Sequence, residues 1–278
     1  MKHILTIAGS DSCAGAGIQA DLKTISALGA YGLSVITAVT AQNTRGVTGV
    51  QEIKPEIIRA QLEAVFADVR VDAVKIGMLG SSATIQVVAA FLRDLMADKL
   101  QDVPVNYETG RLPLVLDPVM VAKSGDRLLE DEAVNSLIND LLPMAMVLTP
   151  NLPEAQTLLG STIKDPAEMA EAGKKLVEMG PKWVVVKGGH LPGEPIDLVV
   201  GPDEVYELPG RRVAGHNNHG TGCTYSSAIA TYLALGHPVS EAIRKAKGYV
   251  EASLVNGFSI GHGVGVLDHF TGVRSAMK

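Results

Sequence analysis

The chain has 278 residues, 46% of them hydrophobic, enough to bury a substantial core as one large domain or two small ones. Its formal charge is −6, and no basic run or aromatic–basic interleaving is present, so nucleic acid is not an expected partner. Two cysteines, Cys13 and Cys223, make no disulfide scaffold, and the apolar start reaches glycine by residue 9, too soon for a signal peptide or a membrane span, so a soluble cytoplasmic protein is expected.

Short β-branched runs alternate with longer amphipathic ones. Residues 3–8 (HILTIA) predict a buried strand and 16–28 a helix, followed by a strand at 33–39 and a helix at 55–68 opened by Pro55. A strand at 73–78 and a helix at 82–97 come next, then a strand at 114–119, a helix at 130–142 and a strand at 145–149. Helices are expected near 153–159 and 166–179, a strand at 183–189, a hairpin from 196–200 and 203–208, and closing helices at 223–235 and 239–255. The polar stretch 101–112 predicts a surface loop, and no change of composition marks a second domain, so a single domain over 1–278 is expected.

Strand–helix alternation with near-continuous apolar strands implies an α/β protein, its mainly parallel sheet covered by helices on both faces. Ligands in such sheets sit beyond the carboxyl ends of the strands. Chemically distinctive residues fall there: Gly9-Ser10-Asp11, Gln42-Asn43, Gly77-Met78, Asp117-Pro118, Asn151 and Lys187-Gly188-Gly189.

The run 217–224 (NNHGTGCT) precedes the small, apolar stretch 225–235, which predicts a helix ending at Gly236. A helix's first turn has unpaired N–H groups and partial positive charge, so a glycine-rich lead-in can hold a phosphate, and a cysteine there is expected to have a lowered pKa. A glycine-rich turn over a buried cysteine reads equally well from this run alone. No GxxxxGK[ST] motif is present, and the Gly15-Ala16-Gly17 start of a dinucleotide fingerprint lacks both its third glycine and the later acidic residue. His216 and His219 stand three apart without a third ligand spaced to join them.

Seven ordered blocks carry a closer likeness: GSDSCAGAGIQADLKTISALGAYG (9–32), AQNTRGV (41–47), VKIGML (74–79), DPVMVAKSGD (117–126), TPNLPEA (149–155), VVKGGH (185–190) and HGTGCTYSSAIA (219–230). Together they resemble the ribokinase-like superfamily, and within it the hydroxymethylpyrimidine/phosphomethylpyrimidine kinase branch of thiamin biosynthesis. The resemblance implies a ribokinase-like domain with ATP across the strand ends, Mg²⁺ bridging its phosphates, and a homodimer. It also implies two successive phosphorylations of 4-amino-5-hydroxymethyl-2-methylpyrimidine, with a pyridoxal/pyridoxine kinase on the same scaffold as the alternative.

By the same resemblance, Gly220, Thr221 and Gly222 form the anion hole and Cys223 stands at the catalytic-base position, where much of the superfamily has aspartate. Asn151 and Glu154 would organise the Mg²⁺–phosphate region, although an N-cap with a first-turn glutamate has the same pattern. Asp117 is a second candidate metal ligand, and Lys187 followed by Gly188 would bring a point charge and close backbone to the nucleotide phosphates. Gly9, Met78 and Val119 correspond to the floor and wall of a pyrimidine pocket, and Asp21 to a substrate-orienting carboxylate. The Gln42 amide, donor and acceptor together, matches an aminopyrimidine edge, whereas related pyridoxal kinases typically have methionine there. Two positions depart from the pattern: Cys13-Ala14 stands where Ser-Gly is expected, and Val266 where proline is usual.

Overall fold

The computed structural model describes residues 1–97, 99–100, 112–122, 125–126, 128–130, 132–189, 191, 193–213 and 215–272. Among these residues nine strands form one sheet in the order β3-β2-β1-β4-β5-β6-β7-β8-β9. They are β1 (His3–Asp11), β2 (Tyr31–Asn43), β3 (Gly46–Glu52), β4 (Ala73–Ile76), β5 (Leu114–Leu116), β6 (Val147–Leu148), β7 (Trp183–Val186), β8 (Ile196–Val200) and β9 (Val205–Pro209). The six strands from β2 to β7 in that order are parallel, and β3, β8 and β9 pair antiparallel at the two edges.

The central parallel strands are mostly apolar because both faces are covered, with Thr6 and Lys75 as buried polar exceptions. One set of alternating residues, including Leu5, Ile7, Val74, Ile76, Leu114 and Leu116, packs under α2 (Pro55–Asp68), α3 (Ser82–Met96), α5 (Leu152–Leu159) and α6 (Pro166–Glu178). The other set, including Ile4, Ala73, Val115, Val147 and Val185, packs under α1 (Gly17–Ala27), α7 (Thr221–Ala234) and α8 (Val239–Val255). After β1 the chain adds β2 on one side and later β4 on the other, so the strand order reverses at β1. That reversal opens a crevice beyond the carboxyl ends of β1 and β4.

Two segments differ from the sequence reading. β3 was not expected, because an exposed edge strand carrying Gly46 and Gly49 shows no apolar alternation. The helix expected at 130–142 is instead a short helix α4 (Ala133–Ser136), a π turn (Leu137–Leu141) and a 3₁₀ turn (Leu142–Met144). Pro143, which lacks an N–H and crowds the carbonyl four residues earlier, prevents regular continuation. The predicted loop 101–112 lies outside the described residues except for buried Leu112.

Candidate active site

A cavity of about 630 Å³ lies over the strand ends, lined by Gly9 after the core of β1, Met78 after β4, Asp117 after β5, Asn151 after β6 and Lys187 after β7. Gln42, Val119, Glu154, Gly220, Thr221, Gly222 and Cys223 line it as well. The residues singled out in the sequence therefore converge, with two exceptions described below.

α7 points its N-terminus into this cavity. Gly220 caps the helix at φ 86°, a left-handed conformation, and a Cβ there would run into the carbonyl oxygen of Gly15, so only glycine fits. No side chain caps the first turn of α7. Gly222 faces the opposite wall: a methyl group on it would stand 3.2 Å from Asp117 Oδ2 and 3.4 Å from Lys187 Nζ. Uncapped amides opposite an ammonium group form a cradle for an anion.

Cys223 follows directly, partly exposed to the cavity. The expected lowering of its pKa is overturned. Burial pushes the thiol up to about 11, Lys75 opposes that rise, and Asp21 and Asp117 add to it. Burial and two carboxylates outweigh the partial charge of the helix end.

Across the cradle, Lys187 Nζ lies 3.0 Å from Asp117 Oδ1, and the Thr149 hydroxyl donates to the same oxygen at 3.2 Å. Asn151 and Glu154 form a reciprocal capping box on α5: Glu154 N–H donates to Asn151 Oδ1 at 2.9 Å, and Asn151 N–H to Glu154 Oε2 at 2.7 Å. The capping role is thus present alongside their position on the cavity wall. Burial pushes the Glu154 carboxyl up to about 7, Lys187 opposes, and Asp117 adds to the rise. Burial disfavours the Lys187 charge, yet Asp117 and Glu154 together raise its pKa. Two carboxylates thus share one ammonium group, an excess of buried negative charge on hard oxygen donors. That donor set fits a small divalent cation such as Mg²⁺.

At the other end, a Cβ on Gly9 would come within 2.9 Å of Met78 Sδ, so glycine and thioether form a close-packed floor. Gln42 Oε1 accepts from the Thr40 hydroxyl at 3.1 Å, and Gln42 Nε2 lies 3.5 Å from His219 Nε2. His219 Nε2 also lies 2.8 Å from Asp11 Oδ2. Burial would raise the Asp11 carboxyl, but the His219 hydrogen bond and the N–H groups of Ala16 and Cys13 hold it below the usual carboxylate range. Asp11, Cys13 and His219 place ligand atoms within 4.8 Å of one another, a grouping invisible to spacing because His219 is 208 residues from Asp11.

Two expected site residues are displaced. Asp21 does not line the cavity; it is fully buried, with Thr6 Oγ1 at 2.6 Å, Ser227 Oγ at 2.7 Å and Lys75 Nζ at 2.8 Å, so no oxygen faces a ligand. Gly188 is buried too, its N–H donating to Asp197 Oδ1 at 3.1 Å, and a Cβ there would strike the Ile196 carbonyl; Gly189 lines the cavity instead. Arg211 and Arg212, which also line the cavity, were not anticipated, and the only signal was an Arg-Arg pair shortly before the glycine-rich run. At the departing positions, Ala14 adopts φ 61°, and Val266 bridges to His219 and Phe258.

The sequence profile of the phosphomethylpyrimidine kinase family matches residues 11–268. A hydroxymethylpyrimidine/phosphomethylpyrimidine kinase from Rhizobium meliloti is 50% identical over 270 residues, covering 96% of each chain. The thiamine biosynthesis bifunctional protein ThiED of Geobacter sulfurreducens is 46% identical over 267 residues, and the chain spans 52% of that longer protein. Among solved structures, a phosphomethylpyrimidine kinase from Clostridium difficile superposes with a TM-score of 0.76 at 44% identity, covering 90% of this chain and 98% of its own. A pyridoxal kinase from Staphylococcus aureus, in complex with AMP-PCP and pyridoxal, superposes with a TM-score of 0.86 at 33% identity, covering 99% and 95%.

Proposed function

The chain belongs to the phosphomethylpyrimidine kinase family, and from that premise we propose that it performs two phosphorylations in thiamin biosynthesis. It transfers the γ-phosphoryl group of ATP to the hydroxymethyl oxygen of 4-amino-5-hydroxymethyl-2-methylpyrimidine, then phosphorylates the monophosphate so formed. The observation that carries this reading is Gly222, which faces the Asp117–Lys187 pair across the cavity while the next residue, Cys223, lines the same space.

Phosphoryl transfer asks for positioning and for charge stabilisation in transit. The amides of the first turn of α7 meet the equatorial oxygens of the moving group, and Lys187 adds a cation from the opposite wall. Gln42 reads the aminopyrimidine edge, while Gly9, Met78 and Val119 exclude water around the ring. A thiol pushed up to about 11 is almost wholly protonated near neutral pH, so Cys223 takes the hydroxyl proton, late in the first transfer, only in its minor thiolate form. The second acceptor is already ionised and needs no base. Asp117 and Glu154 would hold Mg²⁺, which when bound supplies positive charge to the phosphate oxygens.

A coupled ADP-release assay with hydroxymethylpyrimidine and with pyridoxal tests the proposal. Turnover with the pyrimidine is expected; turnover with pyridoxal alone would transfer the assignment to the rival kinase, which the close superposition on a pyridoxal kinase keeps in contention. The proposal further takes 1–278 as one domain that acts as a cytoplasmic homodimer, which sedimentation and fractionation test. No helix among the described residues is long and apolar enough to cross a membrane.

A further inference from the structure

We propose that Asp11, Cys13 and His219 form a metal site of their own, which takes a thiophilic divalent cation of the Zn²⁺ class and, when filled, restrains the pyrimidine end of the cavity. The restraint rests on the functional reading above; the binding does not. A carboxylate oxygen, a thiol sulfur and an imidazole nitrogen lie within 4.8 Å of one another, with Asp11 and His219 buried and Cys13 half-buried. No step of the proposed transfer uses any of the three.

Two loops meet to build the site. Asp11 ends β1 and Cys13 lies in the turn that follows, whereas His219 belongs to the run before α7. The Asp11 carboxylate is fixed by the N–H groups of Cys13, Gly15 and Ala16 at 2.8, 3.1 and 2.8 Å. Hydrogen bonds of this kind orient ligating carboxylates. The His219 ring packs on Gly15, where a Cβ would strike its Cδ2, and its Nε2 meets Asp11 Oδ2 at 2.8 Å. The Ser12 hydroxyl donates to the Gln42 carbonyl at 2.7 Å and accepts the Gln42 N–H at 2.8 Å, tying the turn to β2.

Zn²⁺ holds sulfur at about 2.3 Å and nitrogen or oxygen at about 2.0–2.2 Å, so its tetrahedral ligands stand about 3.3–3.6 Å apart. His219 and Asp11 already stand closer than that, and a swing of the Cys13 side chain by about 1 Å completes the set. Nitrogen and sulfur donors disfavour Mg²⁺, which asks for oxygen. Asp11, His219 and Gln42 line the cavity, so the fourth position opens to it. Without a cation, burial and the Asp11 carboxylate raise the Cys13 pKa, although Lys23 opposes them. The dication displaces the thiol proton to solvent as the sulfur–metal bond forms. The His219 ring hydrogen then resides on Nδ1, which leaves the Nε2 lone pair for the metal. Gln42 Nε2 lies 3.5 Å from His219 Nε2. A cation held there repels the amide NH₂ group and turns it from the edge that it presents to the pyrimidine.

Metal-free protein titrated with Co²⁺, a coloured substitute for Zn²⁺, should develop a thiolate-to-cobalt charge-transfer band in the near ultraviolet. The band should persist in Cys223→Ser and vanish in Cys13→Ala, and cobalt affinity should fall by about tenfold or more in His219→Gln. With Mg²⁺ in excess, micromolar Zn²⁺ should inhibit pyrimidine phosphorylation, and Cys13→Ala should raise the inhibitory concentration by about tenfold or more. The cobalt band needs no substrate, so it decides alone if the chain fails to phosphorylate the pyrimidine. No band in the wild type at millimolar Co²⁺, a band that survives Cys13→Ala, or zinc inhibition that is absent or equal in the two proteins overturns the proposal.

Discussion

His219 Nε2 and Asp11 Oδ2, 208 residues apart in sequence, lie 2.8 Å apart and join the loop after β1 to the glycine-rich run before α7. The Asp11 carboxylate also accepts the N–H groups of Cys13, Gly15 and Ala16 at 2.8, 3.1 and 2.8 Å. Asp11→Asn would turn an NH₂ group toward backbone donors. It should cost about 2–3 kcal/mol in chemical denaturation and slow both phosphorylations, because an unmet buried donor costs its full desolvation. Unchanged stability would show that the carboxylate is not the joint.

The two phosphorylations should separate at Cys223. Cys223→Ala is expected to slow the first transfer by about 100-fold or more and the second by less than about fivefold, as measured by single turnover with each acceptor. Equal losses would mean the sulfur serves packing alone.

Gln42 sits on the cavity wall with its amide held between Thr40 and His219. Gln42→Met removes the donor–acceptor edge. The ratio of kcat/KM for hydroxymethylpyrimidine over pyridoxal should fall by about 100-fold or more. A ratio that stays put assigns specificity elsewhere.

Ala14 holds φ 61°, a left-handed conformation that costs a residue with a Cβ about 1–2 kcal/mol. Ala14→Gly relieves the strain and loosens the unfolded chain, leaving a net gain of about 0.5–1 kcal/mol by denaturant midpoint. A loss of stability would contradict that backbone conformation.

Burial lowers the His269 pKa to about 4 from 6.5, while its Nε2 meets the Thr224 hydroxyl at 3.0 Å. Below pH 6.5 the unfolded chain takes up a proton that the folded chain refuses. Stability is therefore full above about pH 6.5 and falls as the pH drops toward about 4, by about 3 kcal/mol from this group. Thermal midpoints from pH 7 to 4 should decline in the wild type and decline less steeply in His269→Gln; parallel profiles would rule the group out.

Local chemistry was enough to read much of this protein. Pro55 and the periodicity after it delimit α2 at Pro55–Asp68, and α8 covers the predicted 239–255, because helix periodicity and start signals act within a few residues. Runs such as 73–78 and 183–189 marked parallel strands, and the polar residues at their ends converge on one cavity because a parallel sheet aligns its carboxyl ends. What tertiary structure alone decided is partnership and charge. The family resemblance made Asp21 a ligand contact, whereas folding pairs it with Lys75, 54 residues away on another element, and Cys223 looked acidified because burial and the Asp21 and Asp117 carboxylates reach it only after folding. Sequence neighbours set backbone conformation over one helical turn, whereas the desolvation and Coulomb interactions that govern ionisation depend on which distant groups packing encloses together.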